Sequence, residues 1–365
     1  MSKKLNVLYL PSTPLNILVC VAHAIEHQAT QNAKLILIDQ TLVTDNPYIK
    51  ALKAWKESPF IDVEIMSGKA SGWQKYQERQ SNFLHLAEVK SSFLPDVIAV
   101  GSDRRVEFQY LMHLCQSSVK PVNAWYLDDG YYSYAGRPYK WYKDLVSSAV
   151  KKMAYGFWWE EPKTIGSSSL IDKAWVFRPE LVHPSLKTKQ LKPIGNNWFH
   201  SEEFTVFAKE VFKAFQINET FFDELQQLDL LWVLPHPADY ADDELRAQVD
   251  ALLERAFQAG LRIGVKYHPR FTERDTFSYQ SRFNALLMPN SIAFEFLLPI
   301  LAKQLLMISG LGTSLMTAKW LGEALNVNAI ISKNSETAKS DQALYSTMDI
   351  PVYNDCQKIR VEGYR

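Results

Sequence analysis

Two α/β domains, each built on a parallel sheet with helices between its strands, are what this 365-residue sequence predicts. Three observations lead there. Short apolar runs bounded by turn residues alternate with longer segments of helical periodicity, which is the pattern of a doubly wound sheet. The alternation starts again after a proline-bearing stretch, Arg178 to Asn197. The length exceeds what one small core needs.

In order, Asn6 to Leu10, Lys34 to Asp39, Ile61 to Ile65, Asp96 to Val100 and Val122 to Leu127 read as strands. Asn16 to Gln28, Trp73 to Val89 and Glu107 to Cys115 read as helices among them. In the second half the strands are Asp229 to Leu234, Ile263 to Tyr267, Ile292 to Phe296, Leu305 to Ser309 and Ala329 to Ile331. The helices are Asp242 to Ala259, with Gly260 placed to cap it, and Thr313 to Leu325. Arg178 to Asn197 reads as the linker, so the expected domains are residues 1–190 and 191–365. Two such domains facing a central cleft would bind ligands beyond the carboxyl ends of their strands.

Lys plus Arg and Asp plus Glu both number 40, and a net charge of zero argues against nucleic acid as a partner, since phosphate binding needs a basic excess. It also disfavours a long polyanionic acceptor. The three cysteines, Cys20, Cys115 and Cys356, are far apart and form neither a disulfide framework nor a zinc site. Leu5 to Ile25 is the one long uncharged run, and Pro11 and Pro14 break it, so no signal segment or spanning helix is expected. The expected location is the cytoplasm, with peripheral contact at the inner membrane as an option.

Three strand ends carry groups suited to chemistry. Asp128-Asp129-Gly130 follows Val122 to Leu127. A strand end fixes a carboxylate for proton abstraction and the glycine admits a substrate, although Asp-Gly is also a common turn. His268-Pro269 follows Ile263 to Tyr267, flanked by Lys266 and Arg270. A histidine beside two cations suits a phosphate, and packing beside the proline is the plainer alternative. Gly310-Leu311-Gly312-Thr313-Ser314 opens a helix after Leu305 to Ser309, which makes an anion site or an ordinary N-cap. It is neither a Walker loop nor a dinucleotide fingerprint.

Weaker candidates are His236 between two prolines, Ser12, Thr13 and Asn16 after the first strand, and Ser102, Asp103 and Arg104 after another. The last six are acceptor-side candidates. Tyr131 to Trp159 is rich in aromatics and lysines. A buried aromatic face is expected there first, and contact with a membrane surface or a glycan second.

The ordered series Asp-Asp-Gly, His-Pro and Thr-Ser resembles the bacterial sialyltransferases, and the opening Tyr9-Leu10-Pro11-Ser12-Thr13-Pro14-Leu15-Asn16 is similar to that of their lipooligosaccharide and polysialic groups. The resemblance implies the GT-B fold and a metal-free, cofactor-free, inverting transfer of sialic acid from CMP-sialic acid to a glycan hydroxyl, the glycan belonging to an oligosaccharide, glycolipid or capsule. It implies Asp129 as the base, supported by Asp128, with His268 at the leaving phosphate. Lys266 and Pro269 would line the cytosine pocket, Glu295 would bind ribose, and Gly312, Thr313 and Ser314 would cradle phosphate. Thr313 stands where the family has a serine and keeps the hydroxyl. The alternatives are a transferase using CMP-Kdo or another nucleotide sugar, and a nucleotide-sugar epimerase of the same fold.

Overall fold

The computed structural model describes residues 3–41, 43–117, 120–138, 141–301, 304–322, 325–332, 336–361 and 363. The chain divides into two compact units, Met1–Ala214 and Phe215–Arg365.

The first unit runs β1 (Leu5–Leu10), α1 (Pro14–Glu26), β2 (Gln31–Gln40), α2 (Pro47–Ala54), β3 (Phe60–Ser67), α3 (Gly72–Phe93), β4 (Val97–Val100), α4 (Val106–Gln116), β5 (Asn123–Leu127), α5 (Trp141–Tyr155), β6 (Lys173–Val176), β7 (Gln190–Pro193) and α6 (Glu202–Ala214). Its seven strands are ordered β3-β2-β1-β4-β5-β6-β7, every neighbouring pair parallel. Val7 to Leu10 and Val97 to Val100 are buried without a polar alternation, as central strands covered on both faces must be. The order reverses between β1 and β4, so the loops after these strands diverge and leave room for a ligand.

The second unit runs α7 (Glu219–Gln226), β8 (Leu230–Val233), α8 (Asp243–Gln258), β9 (Ile263–Lys266), α9 (Tyr279–Phe283), β10 (Leu286–Leu287), β11 (Leu306–Ser309), α10 (Thr313–Leu321), β12 (Asn326–Ile330), α11 (Glu336–Thr347) and β13 (Val352–Tyr353). Its sheet is β10-β9-β8-β11-β12-β13, again parallel throughout, with its reversal between β8 and β11. Trp232, Tyr240, Tyr267 and Tyr279 fill its core together with the apolar stripe of α8.

The expected two-domain parallel architecture is what the structure has. Its details differ in five places. Arg178 to Asn197 is no plain linker, because β7 lies inside it and pairs with β6. Pro193 is tolerated because β7 is an edge strand. Residues 191–214, assigned from sequence to the second domain, pack in the first unit, where α6 lies on α2 and Phe207 meets Trp55 at 5.1 Å between ring centroids. Ile292 to Phe296 is not a strand but ends in a 3₁₀ turn, Phe294–Phe296, since a short buried apolar run has no periodicity to tell the two apart. The helix opening at Thr313 stops at Leu321, where Gly322 closes it with an N–H bond to Ala318. The aromatic stretch 131–159 is buried at Tyr134 and Trp159, but no residue of α5 is buried. Among the described residues no helix is long and apolar enough to cross a membrane.

Candidate functional site

In the first unit the site begins with how α1 starts. Thr13 caps it by accepting the Asn16 N–H at 3.2 Å, and Pro14 occupies the first turn, where a missing N–H costs nothing. The helix is apolar nearly all round and buried, so it carries Asn16 to a position with no solvent exposure. There the Asn16 amide is oriented from both ends. Its Oδ1 accepts the Ser12 N–H at 3.3 Å and the Ser12 hydroxyl at 3.2 Å, which leaves Nδ2 to donate. Nδ2 donates to Asp129 Oδ1 at 2.7 Å, and the Thr13 hydroxyl reaches the same oxygen at 3.4 Å. Gly101, directly after β4, makes room for this amide: a Cβ there would stand 2.1 Å from Asn16 Nδ2.

The two neighbouring acids differ in kind. Asp128 is fully buried and accepts from the Gly130 N–H (2.8 Å), the Ser133 hydroxyl (2.6 Å), the Phe177 N–H (3.0 Å) and the Tyr134 hydroxyl. It pins the loop after β5 to the strand beside it. Gly130 has φ of +90°, a conformation that favours glycine and lets its N–H turn back onto Asp128. Burial raises the Asp128 carboxyl, and these four donors hold it down. Asp129 is partly exposed, and its Oδ2 takes no hydrogen bond among the described residues. Burial pushes its carboxyl up to about 7, opposed by Asn16, Arg105 and Thr13 and assisted by the charge of Asp128. A partly exposed carboxylate with one oxygen held, the other open and a pKa near neutrality is what a general base requires.

Arg105 was not singled out from the sequence. Its Nε donates to the Ser12 hydroxyl at 3.2 Å, and its guanidinium pairs with Asp39 at the end of β2. Asp39 also takes Arg79 at 3.0 Å and Lys69 at 2.7 Å, and Arg79 pairs with the buried Glu107. Three cations hold the Asp39 carboxyl below its ordinary value against the effect of burial. The network fixes Arg105 where its charge acts on Asp129.

In the second unit, His268 follows β9 and His236 follows β8. Each ring is oriented the same way by its own loop. His268 Nδ1 accepts the Arg270 N–H at 3.1 Å, and His236 Nδ1 accepts the Ala238 N–H at 3.2 Å. Since each Nδ1 is an acceptor, the ring proton of the neutral form sits on Nε2. The rings lie edge to face, 5.2 Å apart. Burial lowers the His268 pKa, with the positive potential of His236, Lys266 and Arg270 adding to it and Asp239 opposing. Lys266 is buried, donates to the carbonyls of Tyr267 (3.1 Å) and Asn290 (3.2 Å), and is brought down to about 8 by burial against the pull of Glu295. Burial in turn raises the Glu295 carboxyl. After β11, Gly310 presses on Pro235, where a Cβ would come within 2.8 Å, so the loops after β8 and β11 touch at the sheet's reversal. The N-cap of α10 is Gly312, which has no side chain to cap with; the Tyr345 hydroxyl accepts the Gly312 N–H at 2.8 Å and donates to its carbonyl at 3.2 Å. The partly exposed Thr313 and Ser314 open the helix beyond that tether, with its dipole aimed at them.

No family model matches the chain, and no curated protein matches it in sequence. Solved structures match over nearly its whole length. The UDP-GlcNAc 2-epimerase of Methanocaldococcus jannaschii aligns with a TM-score of 0.58 at 11% identity, covering 98% of this chain and 92% of the other. The α/β-galactoside α-2,3-sialyltransferase of Photobacterium phosphoreum aligns with a TM-score of 0.58 at 13% identity, covering 99% and 100%. The GT-B domain of a Photobacterium damselae sialyltransferase gives 0.55 at 14%, covering 95% and 98%. The likeness is one of fold. The chain has two GT-B-type parallel α/β domains, an architecture shared by transferases and epimerases alike.

Of the first-unit candidates, the structure brings Ser12, Thr13, Asn16 and Asp129 together, with Asp128 beneath as a strut. Ser102 lies buried after β4. Asp103 is fully buried and spends its two oxygens on the Gly166 and Ser168 N–H groups, at 2.9 and 2.8 Å, with burial pushing it up to about 6. Arg104 is paired with Glu161 at 2.8 Å. Both side chains therefore brace the 160–168 segment. In the second unit Lys266 and Glu295 face one another electrostatically, His268 is half-buried and Pro269 is exposed. Among the described residues no three His, Cys, Asp or Glu side chains group so as to hold a metal ion.

Proposed function

We propose that this protein is an inverting glycosyltransferase that moves sialic acid from CMP-sialic acid to a glycan hydroxyl without a metal. Asp129 is the base, and the one observation that carries the reading is its geometry: Oδ1 held by Asn16, Oδ2 open, and a carboxyl pushed up to about 7. The acceptor hydroxyl gives its proton to Oδ2 as its oxygen bonds to the anomeric carbon. The bond from that carbon to the phosphate oxygen breaks, and the electron pair leaves on CMP. His268, with its proton on Nε2, donates to that phosphate as its charge grows. Thr313, Ser314 and the first turn of α10 bind the phosphate, and Lys266, Pro269 and Glu295 serve the nucleoside. Asp128 holds the loop rather than sharing the chemistry.

The equal fold likeness to a UDP-GlcNAc 2-epimerase keeps a second reading, an epimerase acting on a UDP-sugar. Calorimetry with CMP and UDP separates them. CMP binding, with release of CMP from CMP-sialic acid in the presence of a galactoside and excess EDTA, supports the transferase. UDP binding without CMP binding favours the epimerase. CMP binding with turnover of CMP-Kdo alone keeps the mechanism and changes the donor.

A further inference from the structure

The helix α5 has its polarity reversed. At about 100° per residue, Trp141, Tyr142, Leu145, Val146, Val150 and Met153 fall on one side of it. Surface helices normally turn such a side to the core. Here it faces outward: Trp141 is 68% exposed, Leu145 64% and Met153 80%. The polar side faces the protein. Asp144 reaches Arg137 at 2.7 Å, and Lys151 reaches Glu161 at 2.9 Å while lying 4.4 Å over the ring of Trp159. Just past the helix end Phe157 is exposed as well, at 91%.

We infer that this face docks the protein onto an anionic membrane surface, with α5 lying in the plane of the interface. The charges choose the occupant. Lys143 and Lys152 stand at opposite edges of the apolar side, and neither is in an ion pair among the described residues. The helix's one acidic residue, Asp144, is turned inward and paired. Apolar side chains between Lys143 on one edge and Lys152 on the other match an acyl boundary flanked by anionic headgroups, and Trp141 and Tyr142 supply rings suited to headgroup depth. Fifteen residues give a rod about 22 Å long. The inference does not depend on the identity of the donor sugar.

The test is partition of the full chain onto vesicles of phosphatidylcholine alone and of phosphatidylcholine mixed with phosphatidylglycerol. Wild type should sediment with the mixed vesicles and much less with the neutral ones. Lys143→Gln with Lys152→Gln should weaken binding to the mixed vesicles roughly 30-fold. Leu145→Gln, Val146→Gln and Met153→Gln together should abolish it while leaving the circular dichroism spectrum unchanged, because all three side chains are exposed. Hydrogen exchange on the wild-type chain reads the same face without a substitution: residues 141–157 should gain protection when mixed vesicles are added. Wild type that stays in solution at both compositions overturns the inference. So does a wild-type dimer that ignores vesicles and becomes a monomer in the triple variant, which would assign the face to a second copy of the chain.

Discussion

Asn16 Nδ2 lies 2.7 Å from Asp129 Oδ1, joining the first turn of α1 to the loop after β5 across 113 positions of sequence. The bond orients the carboxylate and also sets its basicity, since a donor to the charged form favours that form.

Replacing each acid in turn separates their roles. Asp129→Asn keeps the shape and removes the basicity, so kcat should fall by about 10²–10⁴, the range for a positioned base, with little change in CMP affinity and no loss of melting temperature. Asp128→Asn should act on stability instead. Its amide cannot accept from all four buried donors, and each one left unpaired costs about 1–3 kcal/mol. Thermal melts beside initial rates check both. Near-native turnover in Asp129→Asn would falsify its assignment as base.

The rate should depend on pH through the same group. Only the ionised Asp129 takes a proton, so kcat/KM should rise with pH along a limb centred near 7. Asn16→Ala removes a donor to the charged form and should move that limb to higher pH, by about one unit. Stability runs the other way. The folded value lies above the unfolded value near 4, so this group's stabilising contribution is fully present in acid and is lost as pH rises through about 7. Urea midpoints of wild type and Asp129→Asn should therefore diverge across that window, and parallel midpoints contradict the raised pKa.

Gly101→Ala tests the packing behind the Asn16 bond. A Cβ 2.1 Å from Nδ2 must displace the amide. A shift of about 1 Å at a catalytic group can cost 10²-fold, so kcat should drop steeply while CMP binding holds. An active Gly101→Ala with its pH limb unmoved would show that the amide has room to retreat.

The phosphate side should respond in binding as well as rate. Thr313→Ala with Ser314→Ala removes two hydroxyl donors to a charged group, and CMP affinity should fall at least roughly tenfold by calorimetry. His268→Ala should lower both kcat and CMP affinity. Unchanged CMP binding in all of these variants places the phosphate elsewhere.

Much of this was legible in the sequence, for physical reasons. Val7 to Leu10 announces a central strand because a doubly covered strand has no polar face to show. Asp-Asp-Gly stands out because a tight turn at a strand end needs a glycine, here Gly130 with its positive φ. The division of labour between Asp128 and Asp129 was not legible, since it is made by Ser133, Tyr134 and Phe177 on one side and Asn16 on the other. Arg105 and Asp39 were missed for a similar reason: an ion pair between distant loops leaves no local pattern. β6 and β7 escaped notice because each is only four residues long, Lys173-Ala174-Trp175-Val176 shows no polar alternation in its residue types, and β7 ends in Pro193.

The return of residues 191–214 to the first unit has a bearing on how the chain is made. A ribosome delivers β1 through β6 well before it delivers α6, and until Phe207 arrives the indole of Trp55 lacks the ring it stacks near among the described residues. The amino-terminal half therefore completes its core late, after the polypeptide has passed what looks from its prolines like a boundary. A recombinant fragment stopped at residue 190 would carry that bare face permanently and should collect in inclusion bodies, whereas one carried through Ala214 has the means to stay dispersed.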